Sequence, residues 1–222
     1  MKFAMLYSCG KDSALALHRM ISEGHTPVCL IVTFNKDAGR SWFHGINNEL
    51  LHEVSSSLGI PIVRCICTGD TYESEVERCL AQARDAGAEA GVFGDIDIED
   101  HRKWNQDRCD AAGITCMLPL WQQQRESLVS ETINEGFKAA IKCIDLSCLD
   151  ASFLGETLDA ALMDRIRATG ADVCGENGEY HTFVFDGPIF KTPIPIRLGK
   201  KITFNTHAAI DIMLKSASES KK

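Results

Sequence analysis

No stretch of this sequence approaches the roughly 18 apolar residues that a helix needs to cross a membrane. The opening Met1-Lys2-Phe3-Ala4-Met5-Leu6-Tyr7 is too short an apolar run for a secretory signal, and charged residues follow at once. No Cys-x-x-Cys occurs, which argues against a zinc ribbon and a thioredoxin-type pair. Cysteine itself is plentiful: 10 are scattered along the chain, at Cys9, Cys29, Cys65, Cys67, Cys79, Cys109, Cys116, Cys143, Cys148 and Cys174. Most lie inside apolar runs, where a free thiol packs as a small hydrophobe, so reduced thiols in a cytoplasmic protein are the expectation. Basic runs are also missing. Lys and Arg number 23 against 31 Asp and Glu, a formal net charge of −8. That balance argues against a nucleic-acid partner, whose phosphates require clustered cations. No Pro/Gly/Ser-rich linker, internal repeat or low-complexity tract interrupts the chain.

What is present is an ordinary globular composition: 222 residues, 45% hydrophobic and 24% charged, enough for one large domain or two modest ones. Short apolar runs alternate with helical patterns. Strands are predicted at residues 3–7, 28–34, 62–66 and 90–93. Helices are predicted at 12–23, 46–58, 72–86 and 100–112, closed by Gly24, Gly59, Gly87 and Gly113. The first carries an apolar stripe of Ala14, Leu15, Leu17, His18 and Ile21. After about Pro119 the pattern changes: helices at 126–135 and 157–169, strands at 137–144 and 181–185, and a turn at Asp186-Gly187-Pro188.

The expected fold is α/β: a parallel, Rossmann-like sheet of the HUP type with helices on both faces, and a smaller C-terminal α+β part. The expected divisions are a nucleotide-binding domain at 1–120, a smaller domain at 121–215 and a frayed tail at 216–222. Ligands of such sheets sit beyond the carboxyl ends of the strands. That rim collects the loops 8–13, 35–45 and 94–99.

Ser8-Cys9-Gly10-Lys11-Asp12-Ser13 joins the first strand to the first helix. The N–H groups and positive dipole end of a helix N-terminus favour a phosphate. Gly10 lets backbone approach closely, Ser8 and Ser13 offer hydroxyls, and Lys11 brings a compact cation. Asp12 either caps the helix or helps hold Mg²⁺ with the phosphates. The loop is shorter than a Walker A motif, Gly-x-x-x-x-Gly-Lys-Ser/Thr.

It resembles the Ser-Gly-Gly-Lys-Asp-Ser pyrophosphate loop of the N-type ATP pyrophosphatases, with Cys9 replacing a glycine. Cys9 is read either as a thiol activated by the helix terminus and Lys11 or as a tolerated small residue. Further segments narrow the match: Phe43-His44-Gly45, Gly94-Asp95-Ile96, Asp100-His101-Arg102-Lys103-Trp104 and Pro119-Leu120-Trp121. The most specific is Cys174-Gly175-Glu176-Asn177-Gly178-Glu179-Tyr180-His181-Thr182, running on to Asp186-Gly187-Pro188-Ile189-Phe190. From about residue 3 to about 197 the chain resembles the diphthine–ammonia ligase family, in the branch often seen in bacteria. The resemblance implies ATP and Mg²⁺ as cofactors and ammonia as a substrate. It further implies a carboxylate acceptor, on a modified histidine of a translation elongation factor. The carboxylate is adenylated with release of pyrophosphate, and ammonia then forms the amide. In a bacterial source the acceptor would be another carboxylate.

The nucleotide-binding candidates are Ser8, Cys9, Gly10, Lys11, Asp12, Ser13, Thr33, His44, Gly94 and Asp95. The catalytic candidates are Lys11, Asp12, Glu176, Glu179 and Tyr180. Glu176 and Glu179 either bind Mg²⁺, orient ammonia or take its proton, or are solvated glutamates of a glycine turn. Asp95 is a ribose or metal contact or a helix cap, and His44 a catalyst or a structural group. His101 and Arg102 form a solvated face unless Arg102 reaches phosphate. Trp121 reads as a core or interface aromatic ahead of an adenine platform. Two other functions use parts of the same pattern, a tRNA sulfurtransferase sharing the pyrophosphate loop and a non-catalytic ATP- or AMP-binding module. A symmetric dimer is common for compact enzymes of this size.

Overall fold

The computed structural model describes residues 1–42 and 44–216. Phe43 and the expected tail, apart from Ser216, lie outside the described residues. The chain divides into two compact units, Met1–Ser8 with Asp12–Gln123, and Cys9–Lys11 with Gln124–Lys222.

In chain order the first elements are β1 (Lys2–Leu6), α1 (Lys11–Ser22), β2 (Thr26–Asn35), β3 (Arg40–Ser41) and α2 (Asn48–Leu58). Then come β4 (Ile62–Cys67), α3 (Tyr72–Asp85), β5 (Ala90–Val92), α4 (Glu99–Ala112) and β6 (Thr115–Met117). Phe3, Ala4 and Met5 of β1 are wholly buried, as expected of a central parallel strand covered on both faces. Each large apolar side chain so buried contributes about 1.5–3 kcal/mol. α1 turns Leu15, Leu17 and Met20 inward, and Val76, Cys79 and Leu80 of α3 share a core cluster with Cys109 and Ala112 of α4. Asn47 caps α2, accepting from the Leu50 N–H at 2.9 Å.

β2 pairs in parallel with β1 and β4, β1 with β5, and β5 with β6, so the parallel strands run β4-β2-β1-β5-β6. The chain winds outward through β2 and β4, then restarts on the other side of β1. The order therefore reverses between β1 and β5, and the loops after those two strands flank the switch point. β3, absent from the sequence reading, pairs antiparallel with the end of β2, Phe34 opposite Ser41. At two residues it is too short to show a period.

The second unit holds α5 (Arg125–Asn134), β7 (Lys138–Asp145), α6 (Ala160–Thr169), β8 (Tyr180–Asp186), β9 (Ile196–Phe204) and β10 (His207–Leu214). Its four strands form an antiparallel sheet, β8-β7-β10-β9. α6 begins later than the predicted 157. Asp159 is its N-cap, accepting from the Leu162 N–H at 2.7 Å, and Thr157 bridges to Ala140. The β9–β10 hairpin was not anticipated. β9 is an edge strand, exposed along most of its length and carrying Arg197, Lys200 and Lys201, so it shows no apolar alternation.

The protein is thus α/β, a mostly parallel sheet flanked by helices with a further antiparallel sheet. Among the described residues no helix is long and apolar enough to cross a membrane.

Candidate functional site

Residues 7–10 carry the chain from β1 into α1, which opens at Lys11. Ser8 Oγ and Ser13 Oγ lie 3.1 Å apart, so the two hydroxyls share a hydrogen bond across the turn. Cys9 has φ 67, in the left-handed region where glycine is at ease and other residues are strained. The glycine usual at this place in the resembled family would fit without strain. The Cys9 side chain is fully buried, and burial pushes its thiol up, away from the reactive thiolate. Of its two readings, the inert small residue is the one this geometry favours. Cys9 should therefore resist iodoacetamide at pH 8 in the native protein while half-buried Cys148 is labelled, as peptide mapping would read; early labelling of Cys9 would contradict this burial.

Cys9–Lys11 groups with the second unit, and hydrogen bonds within that unit give the reason. The Val184 N–H of β8 donates to the Cys9 carbonyl at 2.9 Å, and the Lys11 N–H donates to Thr182 Oγ1 at 3.0 Å. The Lys11 side chain is itself buried, 3% exposed. Its Nζ donates to Cys174 Sγ at 3.6 Å and stands 5.6 Å from the centre of the Tyr180 ring. Ammonium over an aromatic face is attractive, more so where water is excluded. Three residues of the 174–182 motif thus meet Lys11, Cys174 and Tyr180 at its ammonium and Thr182 at its backbone N–H.

That motif is held by its own polar groups. The Asp172 carboxylate accepts the Cys174 N–H at 2.9 Å and the Glu176 N–H at 3.4 Å. Arg125 of α5 donates through Nη1 to Asp172 at 2.5 Å and to Asn177 Oδ1 at 3.2 Å. Glu179 is 8% exposed, so the solvated-glutamate reading fails for it. Its two oxygens accept the Asn177 N–H and side-chain amide, each at 3.1 Å. The Tyr180 hydroxyl donates to the Val173 carbonyl at 2.6 Å, turned into the interior. Gly175 has φ 70, and a Cβ there would stand 2.9 Å from the Tyr180 ring. In this geometry Tyr180 serves Lys11 with its ring face, its hydroxyl being engaged in the turn. Glu176 is half-buried.

Glu179→Gln would set an amide NH₂ against a donor of Asn177. It is expected to cost about 1–3 kcal/mol of stability. Denaturant titration checks it; an unchanged midpoint would contradict it.

In the first unit, Gly94 follows β5 and abuts the start of α1: a Cβ there would lie 3.0 Å from the Ser13 nitrogen. Asp95 accepts from Asn105 Nδ2 at 2.7 Å and stands 3.1 Å from His101 Nδ1. It is not a helix cap, since the N-cap of α4 is Ile98. Thr33, on β2, accepts from the Tyr72 hydroxyl at 3.4 Å. His44 is half-buried, with its N–H on the Trp42 carbonyl at 2.6 Å. Exposed Arg102 bonds Glu99 through Nε at 2.9 and 3.0 Å and stands 5.6 Å from the centre of the Trp121 ring, which fits the solvated-face reading. Asp12 lies in the first turn of α1, half-buried. Among the described residues no group of three or more His, Cys, Asp or Glu is placed to hold a metal by itself.

Thr182 and Cys174 enter the sequence pattern only as members of a motif, and Asp172 and Arg125 lie outside it. Asp172 stands just upstream of Cys174, the one signal that points toward it.

Residues 1–116 match the family described as diphthamide synthase N-terminal domain, and residues 124–217 that described as diphthamide synthase C-terminal domain. A rat (Rattus norvegicus) protein named diphthine–ammonia ligase is 26% identical over 95% of this chain and 85% of its own length. A human protein of the same name is 26% identical over 87% of this chain and 82% of its own. A crystal structure described as a predicted subunit of tRNA methyltransferase from Methanocaldococcus jannaschii superposes with a TM-score of 0.46 at 18% identity, covering 87% of this chain and all of that one. With one matched domain on either side of residues 117–123, the chain belongs to the diphthamide synthase family.

Proposed function

We propose that this protein is an ATP-dependent amide ligase of the diphthine–ammonia ligase kind. It adenylates a carboxylate, releases pyrophosphate, and joins the acyl group to ammonia with loss of AMP. The observation that carries the reading is the convergence on Lys11 of Cys174, Tyr180 and Thr182, which ties the phosphate-loop cation to the family's second motif.

The residues present suit a triphosphate. The N-terminus of the 12-residue helix α1 supplies a positive dipole end, and Ser8 and Ser13 supply hydroxyls. Lys11 brings a positive charge to the oxygens that become pyrophosphate, where charge develops as the α-phosphorus is attacked. A charge-assisted hydrogen bond of this kind contributes about 1.5–3 kcal/mol. Asp12 is the carboxylate that would hold Mg²⁺, a metal commonly bound through one or two carboxylates together with substrate phosphates. When bound, Mg²⁺ neutralises phosphate charge. Glu176, half-buried in the second motif, is the carboxylate assigned to orient ammonia and take its proton. Glu179 and Tyr180 shape the turn that presents it. The scattered thiols fit a reducing cytoplasm.

The test is pyrophosphate release from Mg-ATP, assayed with and without a carboxylate acceptor and ammonium, diphthine-bearing elongation factor being the first acceptor to try. Release that needs both, with AMP and amide in equal amounts, supports the ligase. Release only with RNA favours a sulfurtransferase, and binding without release under every condition favours a nucleotide-sensing module.

A further inference from the structure

The sheet of the second unit holds Lys11 at both of its ends. Tyr180 and Thr182 alternate along β8 and so project from one face, about 7 Å apart. That span runs from the lysine's amide to its ammonium: Thr182 Oγ1 takes the N–H at 3.0 Å, and the Tyr180 ring lies under Nζ at 5.6 Å. Thr182 is 2% exposed and β-branched, so its hydroxyl has little freedom to leave. One residue pair further along, the Val184 N–H on the Cys9 carbonyl fixes the loop backbone a second time. At the far end, Cys174 presents Sγ to Nζ at 3.6 Å, and its own N–H is anchored on Asp172. A free lysine has four side-chain torsions to order, and these contacts order them before any ligand arrives.

We propose that Thr182 and Cys174 are positioning residues for Lys11, Thr182 fixing its backbone amide and Cys174 its ammonium, and that together they set how strongly the loop prefers ATP to AMP. The preference follows because Lys11 acts on phosphates that AMP lacks, and in this the inference rests on reading residues 8–13 as a phosphate loop. Thr182→Val keeps the shape and removes the hydroxyl, leaving the buried Lys11 N–H without that acceptor. Thr182→Ser keeps the acceptor. Cys174→Ala and Cys174→Ser form the matching pair for the ammonium.

Two readouts on the full chain separate the possibilities. The first is hydrogen exchange of the Lys11 amide without ligand. Thr182→Val should speed it about tenfold, the worth of one hydrogen bond, while Thr182→Ser and both Cys174 variants stay near wild type. The second is the ratio of ATP to AMP affinity by calorimetry. It should fall about tenfold in Thr182→Val and in Cys174→Ala and be restored in the two serine variants. A lower melting temperature in Thr182→Val and Cys174→Ala, with Lys11 exchange and the ATP-to-AMP ratio unchanged, would overturn the proposal, because a merely structural role predicts that result. If the wild-type chain binds no ATP, the phosphate-loop reading fails and the role in nucleotide preference falls with it. Lys11 exchange then still decides whether Thr182 holds the loop.

Discussion

Lys11→Ala is expected to slow ATP turnover by about 10²–10³-fold, the loss typical when one pre-positioned donor to a developing oxyanion is removed. Affinity for ATP should fall about 10- to 100-fold, and affinity for AMP far less. Stability should move in the other direction or hardly at all. Lys11 is 3% exposed, and keeping a charge out of water is costly. A variant that folds as well as wild type yet fails to turn over would separate function from stability at a single residue. Calorimetric titration, pyrophosphate release and thermal unfolding supply the three numbers. Unchanged affinity and turnover would remove Lys11 from the site.

Gly94→Ala is the second large effect, and it acts through backbone. The added Cβ would stand 3.0 Å from the Ser13 nitrogen and 3.1 Å from the Asp12 carbonyl carbon, neither of which is the end of a flexible side chain. The first turn of α1 must shift by a few tenths of an ångström. Overpacking of this kind costs about 1–3 kcal/mol, and displacing the turn that carries Asp12 and Ser13 should weaken ATP at least about tenfold. Thermal unfolding and ATP titration check it. Wild-type values for both would mean that β5 and α1 are less closely fitted than these distances state.

The sequence made the first unit legible because its elements announce themselves. β1, β2 and β4 are apolar runs, and helices α2 and α4 stop at Gly59 and Gly113. The loop at 8–13 stands out because its residue types have few other uses at a strand-to-helix turn. β6, with three residues, and β9, whose exposed edge carries cations in place of alternating apolar residues, gave no such signal. For the candidate site, residue types name candidates but not their geometry. Nothing in the spacing of Lys11 and Thr182, 171 positions apart, says that one hydroxyl meets one amide. Glu179 and Tyr180 illustrate the limit of reading by residue type. A carboxylate and a phenol in a glycine-rich motif suggest chemistry, yet burial commits both to hydrogen bonds inside their own turn. Asp95 likewise turns its carboxylate to Asn105 and His101 of α4.

The most direct measurement is a crystal structure of the full chain with Mg²⁺ and a non-hydrolysable ATP analogue. Triphosphate density is expected on residues 8–13, with Lys11 Nζ within hydrogen-bond distance of a β- or γ-phosphate oxygen and the Lys11 N–H still on Thr182. Nucleotide bound elsewhere, or a Lys11 ammonium turned away from the phosphates, would contradict it.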